Sequence, residues 1–227
     1  MRIVVKLGGH LVSTPSGIRT GYLREFASLI SELYDGDRWC VVVGGGAEAR
    51  KYVSAARELG LNESICDLIA VKITRIHARL LSSAIAENAC QVIPETLEQL
   101  VQYSSLGKIV VSGGLQPAQS TTAVAALAAE AINADKLVIA TDVDGVYTAD
   151  PKLDPNAKLL EEVTLSKLKE ILGESSHLAG EYKLIDSLAL RVLERSRIPA
   201  VVLNGNDLDN IRKAIQGEKA GTLIKPE

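Results

Sequence analysis

Three groups of consecutive glycines each follow a short apolar run in this sequence. The glycines stand at residues 8–9, 44–46 and 113–114, after the runs IVVKL, WCVVV and IVVS. If these runs are parallel strands of one sheet, their carboxyl ends lie along a single edge, where open parallel sheets bind ligands. Glycine permits close approach to the backbone, and a glycine turn that leads into a helix presents N–H groups and the positive end of the helix dipole. The three clusters therefore predict a backbone surface that binds an anion such as phosphate.

Two cations accompany the glycines. Lys6 stands in an otherwise apolar strand just before the first cluster, and Arg50 lies one turn into the helix that follows the second. A fixed lysine charge can stabilise a migrating phosphoryl group, and the planar guanidinium of arginine matches phosphate. We predict that Lys6 and Arg50 are catalytic. The alternatives of an edge-strand lysine and a helix-surface arginine remain open at this point.

Other motifs compete for the same residues. Residues 44–49 satisfy the dinucleotide pattern G-x-G-x-x-[GA], and Asp67 lies at a suitable distance to bind a ribose. However, that pattern needs its acidic residue at the tip of a strand, whereas Asp67 lies in a segment with helical periodicity. No G-x-x-x-x-G-K-[ST] loop is present, and the glycine of residues 141–151 is misplaced for an EF-hand. Ser120 or Thr121 would cap a following helix in any protein and would also border the glycine edge, so both interpretations stand.

Composition excludes several partners. The chain has 227 residues, a formal net charge of −3 and a pI near 5.7. It contains no basic run that would indicate nucleic-acid binding, and no apolar run long enough to indicate a membrane span. Cys40, Cys66 and Cys90 are odd in number and widely spaced, which predicts buried free thiols in a reducing compartment. We therefore expect a cytoplasmic protein.

Short runs rich in Val and Ile alternate with longer segments of helical periodicity. Strands are predicted at residues 2–7, 39–43, 90–93, 108–112, 136–141, 200–204 and 222–225. Helices are predicted at residues 21–34, 47–59, 63–87, 96–105, 121–133, 164–172, 184–197 and 207–216. This alternation predicts an α/β fold in which helices cover both faces of a mostly parallel sheet. An internal seam is predicted near residues 133–135, where the loops become longer and richer in Asp and Pro.

Five segments together resemble a known family. They are KLGG at 6–9, VVVGGGAEARKY at 41–52, the D-x-x-x-x-x-x-TR pattern at 67–75, GGLQPAQSTTAVAA at 113–126 and ATDVDGVYTADPK at 140–152. In order and spacing they resemble the amino acid kinase family and, within it, the uridylate (UMP) kinases of the short archaeal type. The resemblance continues to the closing GTLIKPE, whereas a dinucleotide site could not account for five motifs in sequence. It implies a three-layer αβα sandwich with a mostly parallel central sheet.

The resemblance also implies a reaction and its participants. The γ-phosphoryl group of ATP, bound with Mg²⁺, would pass to UMP to give UDP and ADP in pyrimidine nucleotide biosynthesis. An N-terminal lobe, residues 1–134, would bind UMP and carry the transfer edge, and a C-terminal lobe, residues 135–227, would bind the ATP nucleoside. The family further implies a homohexamer.

Residue roles follow from the same resemblance. ATP would be bound by Gly9, His10, Gly46, Arg50, Thr141, Tyr147 and Asp150. UMP would be bound by Gly45, Asp67, Leu115, Gln116, Pro117, Ala118, Gln119, Ser120 and Thr121. A β-carbon at Gly45 or Gly46 is expected to occupy space that the two phosphate groups share.

The sequence departs from the family pattern at three positions. His10 replaces a usual Ser, Thr122 a usual Asp and Asp142 a common Asn. In related kinases the carboxylate at the position of Thr122 orients catalytic lysines. The second catalytic lysine of amino-acid-phosphorylating relatives has no clear counterpart here, with Lys183 the nearby candidate, and this favours a nucleotide acceptor.

Two other functions remain as alternatives. One is a family member that phosphorylates a small carboxylate, carbamate or isopentenyl phosphate, although isopentenyl phosphate kinases carry GGG-x-x-GH where this chain has GGGAEAR. The other is a nucleotide-sensing domain without turnover.

Overall fold

The central feature of the computed structural model is one seven-stranded sheet. The model describes residues 1–151, 154–174 and 185–226. The sheet strands are β1 (Ile3–Leu7), β4 (Trp39–Val43), β5 (Val110–Ser112), β6 (Lys136–Thr141), β7 (Glu162–Thr164), β8 (Ala200–Asn204) and β9 (Thr222–Lys225), and β2 (Ser13–Thr14) and β3 (Gly17–Ile18) form a small separate hairpin. The order across the sheet is β5-β4-β1-β6-β8-β9-β7.

The sheet is mostly parallel, as predicted. Strand β1 pairs in parallel with β4 and β6, which places Lys6 between Val42 and Ile139. β4 and β5, β6 and β8, and β7 and β9 also pair in parallel, whereas β8 and β9 are antiparallel. The carboxyl ends of β5, β4, β1, β6 and β8 therefore share one edge. All three glycine clusters lie there.

Helices cover both faces of the sheet. They are α1 (Gly9–Val12), α2 (Thr20–Leu33), α3 (Gly46–Glu58), α4 (Glu63–Ile85), α5 (Leu97–Ser104), α6 (Thr121–Ala131), α7 (Leu165–Glu174), α8 (Ser187–Ser196) and α9 (Leu208–Gln216). Because successive strand side chains point to opposite faces, the sheet contributes to two cores. Val4 packs in the core that contains α6 and α8, while Ile3 and Val5 pack in the core that contains α2 and α9. Three layers result, in agreement with the predicted sandwich.

The predicted strand at 90–93 is wrong. Among the described residues of this region, a single β-bridge, between Ala89 and Ile109, is the only β-pairing. The side-chain amide of Gln91 instead donates to the carbonyl oxygens of Ser82 and Ala86, 3.1 and 2.9 Å away. These bonds tie the segment to the end of α4. The strand β7, the β2–β3 hairpin and the one-turn helix α1 are not anticipated, because segments of two to four residues show no resolvable periodicity.

No helix within the described ranges combines the length and the apolar character that crossing a membrane requires.

Candidate active site

The first two glycine turns pack directly against each other at the carboxyl edge. A β-carbon at Gly44 would lie 2.9 Å from the Cα atom of Gly9, and one at Gly9 would lie 2.7 Å from the Cα atom of Gly46. Real β-carbons do not approach backbone atoms this closely. Gly46 also has φ +60°, a left-handed conformation that favours glycine. The glycines are therefore required first for contact between the two turns.

The surroundings of Gly45 and Gly46 give each of them a packing role besides the ligand-binding role predicted from the sequence. A β-carbon at Gly46 would meet the carbonyl group of Gly9 and not open space, and one at Gly45 would overlap the β-carbon of Ala49 and approach Thr74 Cγ2 at 3.4 Å. A larger residue at Gly45 would thus disturb the start of α3. The expected space for two phosphate groups stays a prediction.

Two buried side chains hold the second glycine turn. His77 of α4 places its Nδ1 3.1 Å from the carbonyl oxygen of Gly44. Ser13 Oγ accepts a hydrogen bond of 3.0 Å from the backbone N–H of Glu48, in the first turn of α3. Satisfying a helix N-terminus in this way fixes the direction of its remaining N–H groups. The turn is consequently rigid before any ligand binds.

The third glycine cluster is fixed by α4. Thr74 Oγ1 accepts a 2.7 Å hydrogen bond from the N–H of Gly114. Arg75 donates to the carbonyl oxygens of Gly114 and Leu115, at 3.1 and 2.9 Å, and forms an ion pair with Glu95. These contacts give the loop that follows β5 a defined shape over the middle of α4.

Asp67 joins the same loop from one face of α4. Its carboxylate accepts a 2.8 Å hydrogen bond from the backbone N–H of Ala118, which has φ +59°. One carboxylate oxygen is engaged in this way, and a carboxylate has further acceptor sites. Asp67 can therefore support the loop and still accept hydrogen bonds from a ligand.

A cavity of about 250 Å³ lies between the glycine turn, α4 and this loop. Its lining includes Gly45, Gly46, Arg50, Asp67, Thr74, Gly114, Gln116, Ala118, Gln119 and Thr121. The structure thus brings together most of the residues predicted to bind UMP with two of those predicted to meet ATP phosphates. Leu115, Pro117 and Ser120 do not line the cavity; Leu115 packs against the α6 core and Ser120 caps α6.

Lys6 does not line this cavity; it lies near the carboxyl end of β1, paired with Val42 on the strand that leads into the second glycine turn. Burial lowers its pKa from the usual 10.5 to about 8, and the nearby charges of Asp142 and Asp186 partly oppose that shift. A buried ammonium group with few water contacts interacts strongly with an arriving anion. Arg50, in contrast, is exposed on α3 at the cavity rim.

His10 follows the first glycine turn and lies next to Asp142. Its Nε2 is buried with no hydrogen-bond partner and is 3.8 Å from the Asp142 carboxylate. Burial lowers the pKa of His10, while Asp142 acts in the opposite direction. The imidazole is therefore neutral near pH 7 and faces the same edge as Lys6.

Thr141 is the last residue of β6, and Tyr147 and Asp150 lie on the long connection that follows it. The Tyr147 hydroxyl donates to Asp144 over 3.2 Å, and Asp144 in turn accepts 2.9 Å from Asn204 at the end of β8. This connection is therefore anchored to the carboxyl ends of β6 and β8, away from the 250 Å³ cavity. Thr141 and Tyr147 therefore lie near the same sheet edge, and the joint binding of the ATP nucleoside by Thr141, Tyr147 and Asp150 stays a prediction.

Several residues that shape the site are absent from the sequence prediction. Thr74 and Arg75 belong to one of the five family-like segments, but the pattern alone assigns them no role. Asp186 carries no sequence signal, because its position depends on tertiary packing. Lys183 lies outside the described residues.

Two other observations bear on ligands. Within the described part of the chain, no group of three or more His, Cys, Asp or Glu side chains is arranged to hold a metal ion. A larger cavity, about 570 Å³, lies beside β8, β9 and α9, and its lining includes Val201, Ala214 and Leu223. It contains none of the glycine-turn residues of the carboxyl edge.

Comparison with known proteins agrees with this geometry. The profile of the amino acid kinase family matches residues 1–204. The uridylate kinase of Hyperthermus butylicus is 44% identical over 223 residues, which cover 98% of this chain and 97% of the relative. The uridylate kinase of Methanobrevibacter smithii is 41% identical over 99% of each chain. The crystal structure of uridylate kinase from Archaeoglobus fulgidus has a TM-score of 0.88 and 42% identity, and the match covers 99% of this chain and all of that one. With its sequence and fold matched over nearly their whole length, the chain belongs to the amino acid kinase family.

Proposed function

We propose that this protein is a UMP kinase, which transfers the γ-phosphoryl group of ATP to UMP and forms UDP and ADP. The observation that carries the proposal is the 250 Å³ cavity at the carboxyl edge, which gathers Asp67 and the loop after β5 around the second glycine turn. Full-length relatives named uridylate kinase support the same acceptor.

The acceptor nucleotide would occupy this cavity. Asp67 offers carboxylate oxygens suited to ribose hydroxyls, and Gln116 and Gln119 offer amide groups suited to a pyrimidine edge. The UMP phosphate would then point toward Gly45 and the N-terminus of α3, where the helix dipole favours an anion. Thr121 would contact UMP from the cavity wall, while Leu115, Pro117 and Ser120 would contribute through the shape of the loop.

Phosphoryl transfer would take place between this cavity and the first glycine turn. A phosphate oxygen of UMP attacks the γ-phosphorus of ATP in line, and the bond from that phosphorus to the β,γ-bridging oxygen breaks as ADP leaves. Lys6 would stabilise the charge on the transferring group, and Arg50 would bind the phosphates from the rim. Gly9, His10 and Gly46 would lie against the ATP phosphates.

The ATP nucleoside would lie near Thr141, Tyr147 and Asp150, so that the donor and acceptor lobes are residues 135–227 and 1–134. Magnesium would enter with ATP as the MgATP substrate, neutralising part of the repulsion between the two phosphate groups. Both nucleotides then approach the same edge from opposite lobes.

An ADP-release assay tests the acceptor. Purified protein with MgATP is offered UMP, CMP, dUMP, carbamate, aspartate or isopentenyl phosphate, one at a time. We expect the highest kcat/KM with UMP. A higher kcat/KM with a small carboxylate, carbamate or isopentenyl phosphate would show that this compound, and not UMP, is the acceptor. No turnover with any compound of the series would favour a nucleotide-sensing domain.

We also propose that the protein forms a homohexamer whose subunits pair through α4. Ile65, Leu68, Ile76 and Leu80 are exposed at helical spacing along one face of this helix. An exposed apolar stripe of this kind, here interrupted by Lys72, is typical of a protein–protein interface, and a second copy would cover it with its own stripe. Light scattering should show that Ile76→Asp reduces the assembly, while Leu106→Asp, at an exposed position off the stripe, leaves it unchanged. A monomeric parent protein would contradict the proposal.

A reducing, cytoplasmic location remains our expectation. Cys40, Cys66 and Cys90 are buried free thiols, which is consistent with it.

A further inference from the structure

The charge of Lys6 depends on its surroundings, and these lie on one face of the sheet. Lys6 has the same strand parity as Val4, whose side chain packs in the core formed with α6 and α8. The strands on either side present only apolar partners, Val42 and Ile139, at its level. Any carboxylate that accompanies Lys6 must therefore come from the loops and helix ends above it.

Three described titratable groups stand on these elements at the carboxyl edge and interact electrostatically with Lys6, although no described carboxylate forms an ion pair with its ammonium group. Asp142 follows β6, Asp186 precedes α8, and His10 belongs to α1. The two carboxylates favour the charged form of Lys6. The charge of Lys6 in turn lowers the pKa of His10, so it disfavours a charged imidazole. The start of α6 contributes only hydroxyl groups, from Thr121 and Thr122. Asp142 and Asp186 are thus the described carboxylates that can accompany the ammonium group.

Of these two, Asp186 is the more firmly held. Its Oδ1 accepts hydrogen bonds of 3.0 Å from the backbone N–H groups of both Leu188 and Ala189, which makes it the N-cap of α8. Its Oδ2 accepts a hydrogen bond from Ser120 Oγ, and that hydroxyl accepts a 2.9 Å bond from Ala123 N as the N-cap of α6. Asp142 is more exposed, with 58% of its side chain accessible. One carboxylate is therefore fixed by the N-termini of two packed helices.

We propose that Asp186, anchored by Ser120 at the carboxyl edge and on the same face of the sheet as Lys6, is a positioning residue that favours the charged form of Lys6 during phosphoryl transfer without forming an ion pair with it. This inference rests on the proposed function only for the role of Lys6 in turnover. Ser120 has a corresponding role, because it couples the end of the acceptor loop to the carboxylate that accompanies Lys6.

Substitution of Asp186 by Asn tests the proposal with little change to the helix. Asparagine caps a helix as well as aspartate does, so α8 should remain folded while the charge is lost. We expect the alkaline limb of the kcat/KM profile for UMP phosphorylation to move to lower pH by roughly half a unit. Activity should then fall about threefold at pH 8.5 and change little at pH 6.5, because Lys6 is still protonated there.

The matched control is Asp207→Asn, which makes the same change at the N-cap of α9. This variant should keep the parent pH profile. Asp186→Ser, another good N-cap without charge, should reproduce the shift of Asp186→Asn and provides a second variant if the first does not fold.

A direct titration separates this inference from the proposed reaction. The ¹³Cε resonance of Lys6, assigned by its loss in Lys6→Met, is followed against pH in ligand-free protein. A lower Lys6 pKa in the Asp186 variants, with no change in Asp207→Asn, supports the role of Asp186 whatever the acceptor proves to be. An unchanged Lys6 titration overturns the inference even if UMP is phosphorylated.

Discussion

Replacing Gly46 by alanine should destabilise the protein much more than the same change at Gly60. Both glycines have positive φ, +60° at Gly46 and +77° at Gly60, so both substitutions place alanine in the left-handed region. At Gly60 an added β-carbon has no neighbour within 4 Å, whereas at Gly46 it would overlap the carbonyl group of Gly9 and lie 2.5 Å from Ser13 Oγ. The pair therefore separates backbone strain from close packing.

The magnitudes follow from these two contributions. Left-handed geometry costs an alanine about 1–2 kcal/mol, and the lower entropy of the unfolded chain offsets about 0.4–1 kcal/mol of this. Gly60→Ala should accordingly lose between almost nothing and about 1.6 kcal/mol. Gly46→Ala adds an overpacking cost of typically 1–3 kcal/mol, and its neighbour is backbone that cannot rotate away. We expect a loss larger by about 2–3 kcal/mol than at Gly60.

Urea denaturation followed by circular dichroism measures this difference, with both variants compared at equal m-value. In thermal scans it corresponds to a Tm lower by about 4–12 °C, since each kcal/mol shifts a chain of this size by about 2–4 °C. Equal destabilisation of the two variants would refute the conclusion that contact between the glycine turns requires Gly46. In that case the reason for the second cluster would have to lie in ligand binding alone.

Two further predictions concern Lys6 and Thr122, near the carboxyl edge of the sheet. Lys6→Met should lower kcat on the order of 10²–10³-fold, like loss of one preorganised donor, and should also stabilise the ligand-free protein at pH 7. The pKa of Lys6 is about 8 in the folded protein and 10.5 in the unfolded chain. Between these two pH values the unfolded chain therefore binds more protons than the folded protein. As a result, the free energy of unfolding of the parent protein increases as the pH rises from 8 to 10.5. That gain is up to about 3 kcal/mol, and a urea series across this pH range that shows the same slope for parent and Lys6→Met would contradict it. Thr122→Ala should keep turnover within about tenfold of the parent rate, which is equivalent to roughly 1.4 kcal/mol of activation barrier. The reason is that Ser120, and not Thr122, caps α6. Single-turnover rates as low as those of Lys6→Met would show that Thr122 takes part in the chemistry.

The sequence determined the sheet edge and the glycine clusters that lie along it. Strands as apolar as β1 and β4 have a single plausible environment, the buried centre of a parallel sheet, and the glycines that follow them must then share an edge. Lys6 was recognisable because a charge within such a strand is rare. The resemblance added the pairing of Asp67 with the loop after β5, and the structure brings them into contact.

Only the tertiary structure shows which backbone contacts require the glycines and which charged groups lie on the elements around Lys6. A run such as VVVGGG indicates that something approaches the backbone, but whether that is a ligand or a second turn depends on the separation of β1 and β4, which no local pattern contains. The same limit applies to Asp186, since it meets Ser120, 66 positions earlier in the chain, only because α6 packs against α8. Periodicity specifies which face of an element is buried, whereas contacts between helix ends depend on how whole layers are placed.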